Sequence, residues 1–274
     1  VQGRHIVVPK LHNHDRAYIF QNADNRIIFA LPYEQDYTLI GTTDKDYEGD
    51  PKDVKISPQE VTYLCDAASE YFKEPILADH IVWSYSGVRP LFDDGASAAQ
   101  EATRDYVLRE DGEGDDARVI NIFGGKITTY RRLAESMLEK IEAVLGKRKS
   151  TWTADSHLTG GDFKVEDFDN LVADVQAKYP FVESALAWRL VRSYGTKVWQ
   201  LLGDATTKED MGPQFGGSLT GLEVDYLMQN EWAQTAEDVV WRRSKLGIRL
   251  TEDQIAKLDH WMRNSSVERA SAAN

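Results

Sequence analysis

The stretch VINIFGGKITTYRRLAESMLEKI, residues 119–141, decides how this chain is read. Residues 119–123 form a short apolar strand, and Gly124 and Gly125 make a turn. Leu133, Met137, Leu138 and Ile141 then recur at the spacing of one helix face. A strand–Gly-Gly–helix turn leaves backbone N–H groups unpaired at the positive end of a helix dipole. An anion or an electron-rich carbonyl oxygen is favoured there. Lys126 adds a full charge at that point, and Thr128 or Thr129 is placed to cap the helix. A plain strand-to-helix connection with a solvated Lys126 uses the same residues, so the turn alone is not diagnostic. It is not a P-loop, because Gly125-Lys126 is followed by Ile127 instead of Ser or Thr.

Upstream, residues 5–9 (HIVVP), 17–21, 26–32 and 37–42 read as short strands with hairpin-length connections, hence an antiparallel sheet. Ser57-Pro58-Gln59-Glu60 predicts a helix start with a capping box and Pro at the first helical position. Val61, Leu64, Cys65, Ala68 and Phe72 form its buried stripe. Residues 81–85 return as a strand and lead into Ser86-Gly87-Val88-Arg89-Pro90-Leu91. Arg89 there follows a Gly bend and precedes a stiffening Pro. A guanidinium held by such neighbours suits a phosphate or carboxylate, and equally a surface ion pair. Residues 93–103 read as a mobile acidic loop, and 106–109 and 118–123 as strands bracketing a polar turn at 111–116.

From about Val165 the pattern turns helical, with segments at 165–178, 182–194, 197–202, 222–231, 235–245 and 251–263. Thr235 caps with Asp238 and Thr251 with Gln254. Trp188, Trp199, Trp232, Trp241 and Trp261 are expected largely in this core, Trp241-Arg242-Arg243 as a solvated basic turn, and the tail from Ser265 as disordered. The expected class is α+β. An antiparallel-sheet substrate domain with a remnant of a cofactor domain spans 1–149, and an all-α domain spans 150–274.

The 274 residues carry a net charge of −13, which disfavours nucleic acid as a partner. No apolar run reaches the length of a membrane span. The single cysteine, Cys65, is expected as a buried free thiol in a cytoplasmic compartment. His12 and His14 lack companions at zinc spacing, so no metal site is expected. A start at Val1 with no signal peptide suggests a piece of a longer protein.

Taken together, His5 in HIVVP, IGTTD at 40–44, SGVRPL at 86–91 and FGGKITTYR at 123–131 resemble the FAD-dependent glycerol-3-phosphate dehydrogenases. RSYG at 192–195, EW at 231–232 and VVWRR at 239–243 resemble that family's helical C-terminal domain. The resemblance implies oxidation of sn-glycerol 3-phosphate to dihydroxyacetone phosphate, with hydride passing to FAD and electrons to a membrane quinone. It implies that Arg89 and Lys126 hold the substrate phosphate or its oxygens and that His5 lies near the reacting carbinol. It also implies that Gly124, Gly125, Lys126, Ile127 and Thr128 face the flavin, whose reduced form gathers negative charge. His5 is a candidate base because an imidazole titrates near neutrality; Arg89 or water stabilising an alkoxide is the alternative.

The family's Gly-x-Gly-x-x-Gly fingerprint is missing from this sequence. The chain is therefore expected to be the C-terminal part of such an enzyme, inactive alone and holding FAD weakly or not at all. A cytoplasmic, membrane-peripheral location is implied, and a homodimer is left open. Two rivals stand beside this reading. One is an oxygen-using glycerol-phosphate or amine oxidase of the same flavoprotein superfamily; the other is a non-catalytic helical interaction module.

Overall fold

The computed structural model describes residues 1–42, 45–92, 103–112, 117–147 and 149–272, with side chains through Ser265. The acidic loop expected at 93–103 lies outside the described residues up to 102, as does 113–116 of the polar turn. The chain divides into two units, Val1–Ala154 and Asp155–Asn274, each with its own apolar core. The α+β class holds.

In the first unit, β1 (Gln2–Pro9), β2 (Tyr18–Gln21), β3 (Ile27–Tyr33), β4 (Tyr37–Gly41) and β5 (Trp83–Val88) form one antiparallel sheet. Its strand order is β2-β3-β4-β1-β5. Side chains alternate between its faces. Ile6, Val8, Ile28 and Ile40 point to one face and pack under α1 (Pro58–Ser69) against Leu64, Cys65 and Ala68. Ile6, Ile28 and Ile40 are fully buried, and each contributes about 1.5–3 kcal/mol as an upper estimate. α1 begins as predicted. Ser57 Oγ accepts from the Glu60 N–H at 3.3 Å, and the Glu60 carboxylate accepts from the Ser57 N–H at 2.9 Å. Glu60 also pairs with buried Arg4 at 2.6 Å, tying the helix to β1. Burial pushes the Cys65 thiol above its ordinary range, so it is a packing residue and not a nucleophile at neutral pH.

Two expectations for this unit are corrected. Gly87 is not a bend: it lies inside β5, directly opposite Gly3 of β1, and Arg89 follows the strand end. Neither Thr128 nor Thr129 caps a helix. Residues Ile127–Thr129 form a single 3-10 turn in which the Thr129 hydroxyl donates to the Lys126 carbonyl, and α2 (Tyr130–Leu145) follows. β6 (Tyr106–Asp111) and β7 (Val119–Gly124) pair as a separate antiparallel ribbon leading into that turn. The apolar stripe of α2 is only half-covered, with Leu138 47 % exposed. Its one buried residue is Glu135, held by Arg131, Arg132 and Thr153.

The second unit packs α3 (Phe168–Lys178), α4 (Ser184–Tyr194), α5 (Val198–Leu202), α6 (Gly221–Asn230) and α7 (Glu252–Ala272) around Val175, Leu190, Val198, Leu227 and Leu258. The expectation of an unbroken helical pattern missed a small ribbon, β8 (Gln214–Gly216) with β9 (Leu219–Thr220), too short to show alternation. The tail expected to be disordered from Ser265 is instead helical. α7 continues to Ala272, because Val267 to Ala272 contains no glycine or proline to stop it. Trp199, Trp241 and Trp261 pack on the core, but Trp232 is 84 % exposed. It follows the C-terminus of α6 at φ 54°, and this backbone turns its ring outward.

The Thr235–Asp238 cap is present, but the segment it starts is a π-helix, Asp238–Arg243. Asp238 Oδ2 accepts from the N–H groups of Gln234 and Thr235 and from the Thr235 hydroxyl, each at 3.0 Å. Partial burial raises the Asp238 pKa, but these bonds and Arg242 outweigh it and hold the carboxyl at about 2. A folded-state pKa below the unfolded value means stability present above pH 3.8 and lost as pH falls toward 2. Asp238→Asn is expected to cost about 1–2 kcal/mol at pH 6. The melting-temperature difference from wild type should close as pH falls from 4 to 2.

Candidate functional site

The site is built on the sheet face opposite α1. Register places Phe29 of β3, Gly41 of β4, His5 of β1 and Tyr85 of β5 in one row across four strands. Directly opposed residues share a face, so this row lies away from Ile6 and Ile40. The His5 ring stacks on Tyr85 with centroids 4.8 Å apart and planes at 11°. A Cβ at Gly41 would overlap His5 Cδ2, so a glycine there gives the imidazole its place in the row. Trp83 lies 5.0 Å from Tyr85 and Tyr33 lies 6.5 Å from Trp83, extending an aromatic surface beside the histidine. Burial raises the Tyr85 hydroxyl above its ordinary range, keeping it neutral.

Beside this row is a cavity of about 460 Å³ lined by Arg26, Ile27, Phe29, Thr42, Arg89 and Arg104, with Asn25 at its edge. Arg89 is delivered by the exit of β5, its backbone N–H bonded to the Val1 carbonyl at 2.7 Å. Arg26 sits at the turn before β3, its guanidinium 4.4 Å over the Tyr63 ring and paired with Asp24 at 3.4 Å. The Arg26 backbone N–H, more than its charge, holds the Asp24 carboxyl below the usual range. Three arginines on one cavity give a region suited to a phosphate, since guanidinium forks match phosphate oxygens.

Of the residues singled out from sequence, Arg89 lines the cavity and His5 shares the row of its lining residue Phe29. Lys126 does not line it and is exposed, as are Ile127, at 86 %, and Thr128. The Gly-Gly turn is nevertheless a neighbour of Arg89. A Cβ at Gly124 would lie 3.1 Å from Phe92 N and 3.5 Å from the Pro90 carbonyl oxygen, so the turn packs on the segment that follows Arg89. Gly124 and Gly125 have φ of 67° and 92°, values that only glycine adopts freely. Neither Lys126 nor Thr129 lays a side chain over the N–H groups that begin the 3-10 turn and α2. The Thr129 N–H donates to the Lys126 carbonyl at 3.0 Å and the Tyr130 N–H to that of Ile127, so it is the N–H groups ahead of them that lie beside the lysine, a setting suited to an electron-rich carbonyl oxygen. Arg26 and Arg104 escaped sequence reading. One sits in a turn and the other just beyond an acidic stretch, and only the fold brings them to Arg89. Among the described residues no group of His, Cys, Asp and Glu has the makings of a metal centre, and no helix is long and apolar enough to cross a membrane.

Residues 1–125 match the family model described as FAD dependent oxidoreductase, and residues 151–263 that described as the C-terminal domain of alpha-glycerophosphate oxidase. The chain is 42% identical over its full length to an aerobic glycerol-3-phosphate dehydrogenase of Escherichia coli, covering 54% of that protein. It is 40% identical over 97% of its length to a D-erythritol 1-phosphate dehydrogenase of Brucella abortus, covering 53% of it. A crystal structure of the glycerol-3-phosphate dehydrogenase from Bacillus halodurans complexed with FAD superimposes with TM-score 0.72 at 24% identity. It spans 99% of this chain and 52% of that one, and it shows the shared fold. The chain thus spans about half the length of the curated relatives it matches.

Proposed function

We propose that this chain, which belongs to the FAD-dependent glycerol-3-phosphate dehydrogenase family, supplies the substrate-binding sheet and the flavin-facing turn of an enzyme that oxidises sn-glycerol 3-phosphate to dihydroxyacetone phosphate. The observation that carries this reading is the arginine-lined cavity beside the His5 row. Two of the matched relatives are named for phosphorylated polyols, and the phosphate is the shared feature that such a cavity reads.

Arg89, with Arg26 and Arg104, binds the phosphate dianion and fixes the distance from it to the carbinol. His5, held between Gly41 and Tyr85, takes the hydroxyl proton as the carbon–hydrogen bond is broken. The flanking rings of Tyr85, Trp83 and Phe29 keep water from the reacting carbon. Gly124, Gly125, Ile127 and Thr128 present backbone N–H groups to the flavin, and Lys126 adds the charge that favours its reduced form. Bound FAD would supply the hydride acceptor, with a quinone as the proposed onward acceptor. That acceptor places the enzyme at the inner face of the membrane as a peripheral protein.

The test is dye-coupled oxidation of sn-glycerol 3-phosphate by FAD-loaded enzyme containing this chain, wild type and His5→Gln. The variant is expected to lose about 100-fold in kcat while KM changes little, because general base catalysis contributes 10²–10⁴-fold. The acidic limb of the pH–rate profile should vanish with it. An unchanged profile would remove His5 from the chemistry.

A further inference from the structure

Gly41 and Gly87 both lie on the site face of the sheet, and the fold accounts for the first alone. A Cβ at Gly41 would overlap the His5 ring, whereas a Cβ at Gly87 would meet no atom within 4 Å among the described residues. Gly87 does not use a left-handed backbone, it pairs in register with Gly3 inside β5, and it is exposed. A glycine inside a strand weakens it, through chain entropy and the lack of a side chain to pack. It marks a place where a ligand or another backbone comes close. Alanine fits both this backbone and this space, so nothing among the described residues calls for glycine here.

Its place on the strand says what comes close. Side chains alternate along β5, so Tyr85, Gly87 and Arg89 share a face. The alternation carries past the end of β5. The Arg89 N–H donates to the Val1 carbonyl at 2.7 Å and the Val1 N–H to the Arg89 carbonyl at 3.2 Å, so the pairing of β1 with β5 runs on by one residue. Tyr85 carries the stacked His5 ring, and Arg89 lines the arginine cavity. Four residues of strand put about 13 Å between the Cα atoms of Tyr85 and Arg89, with Gly87 midway. The cross-strand partner of Gly87 is Gly3, so neither strand raises a side chain at that level between the guanidinium and the imidazole.

We infer that Gly87 is a specificity-determining residue: the carbon chain of the phosphorylated alcohol crosses β5 over this glycine, with its phosphate toward Arg89 and its carbinol toward His5. This placement rests on the oxidation proposed above. A backbone without a Cβ lets a short, unbranched chain lie against the strand, and each carbon added at position 87 takes space from it. The class admitted is thus a phosphate ester of a short linear polyol.

The experiment compares wild type, Gly87→Ala and Gly87→Val in the FAD-loaded enzyme containing this chain. It reads kcat and KM for sn-glycerol 3-phosphate, inhibition by inorganic phosphate, flavin content and melting temperature. Gly87→Ala should lose about 10-fold or more in kcat/KM, and Gly87→Val more still, with flavin content unchanged and a melting temperature no lower than that of wild type. Inorganic phosphate needs Arg89 but no chain over Gly87, so it should inhibit wild type and Gly87→Ala at the same concentrations. Activity of Gly87→Ala within about twofold of wild type would overturn the inference. A lowered melting temperature would do the same, because the fold itself would then need the glycine. Loss of flavin in the variant would give the space to the cofactor and overturn it as well. A wild type that does not turn over sn-glycerol 3-phosphate would bring down the proposed oxidation and this inference together, whereas the other outcomes touch Gly87 alone.

Discussion

Arg89→Ala in the FAD-loaded enzyme should lower kcat/KM for sn-glycerol 3-phosphate by about 100-fold or more, the effect of removing one preorganised charge contact from a transition state. The argument rests on placement. Arg89 leaves β5 one residue after the strand ends, its backbone is pinned to Val1, and it lines a cavity with Arg26 and Arg104. On the proposed reading the phosphate does not react, so its binding energy would serve to orient the carbinol against His5. A loss in kcat beyond the rise in KM is therefore expected. Arg89→Lys should recover only part, because an ammonium keeps the charge but not the planar fork. Activity of Arg89→Ala within threefold of wild type would mean that the cavity does not hold the phosphate.

The second large effect is structural and falls in the helical unit. Glu223 is fully buried and bound in bidentate fashion by Arg189, at 2.7 and 2.6 Å, while the Tyr194 hydroxyl donates to it at 2.8 Å. Burial first, and this charge beside it, push the Tyr194 hydroxyl well above its ordinary pKa. Arg189 also donates to Ser218 Oγ at 3.0 Å and to its carbonyl at 3.0 Å, joining α4 to the β8–β9 turn and α6. Glu223→Gln removes the fully buried carboxylate that Arg189 grips twice and that Tyr194 bonds, at a cost of about 3–5 kcal/mol. Hydrogen exchange of the α4 and α6 amides should accelerate by two to four orders of magnitude, each 1.4 kcal/mol being about tenfold. The double change Glu223→Met with Arg189→Met should restore most of that protection, since removing both charges leaves neither buried alone. Unaltered exchange in the single variant would show that the pair holds nothing together.

Local signals in the sequence carried far. The Ser57–Glu60 box, the Thr235–Asp238 and Thr251–Gln254 caps and the short apolar strand of 26–32 each depend on residues within one turn or strand, and each appears in the fold. What failed was non-local. Gly87 looked like a bend because glycine favours bends, yet pairing with Gly3 from a strand 84 positions away keeps it extended. Trp232 looked like core because it is large and apolar, but the α6 terminus turns it to solvent. Arg26 and Arg104 carry no local mark at all; they acquire meaning only when the β2–β3 turn and the residues just before β6 meet Arg89 at one cavity. Strand ranges alone do not say which strands lie side by side, so the Phe29–Gly41–His5–Tyr85 row became visible only in the register.

The most direct measurement of the central claim, that the arginine cavity reads the substrate's phosphate, is dye-coupled oxidation of sn-glycerol 3-phosphate against glycerol by the FAD-loaded enzyme and its Arg89→Ala variant. The account predicts rapid turnover of the phosphorylated alcohol by wild type, negligible turnover of glycerol, and a preference that collapses by about 100-fold in the variant. Glycerol oxidised as readily as its phosphate, or a preference that survives the loss of Arg89, would contradict it.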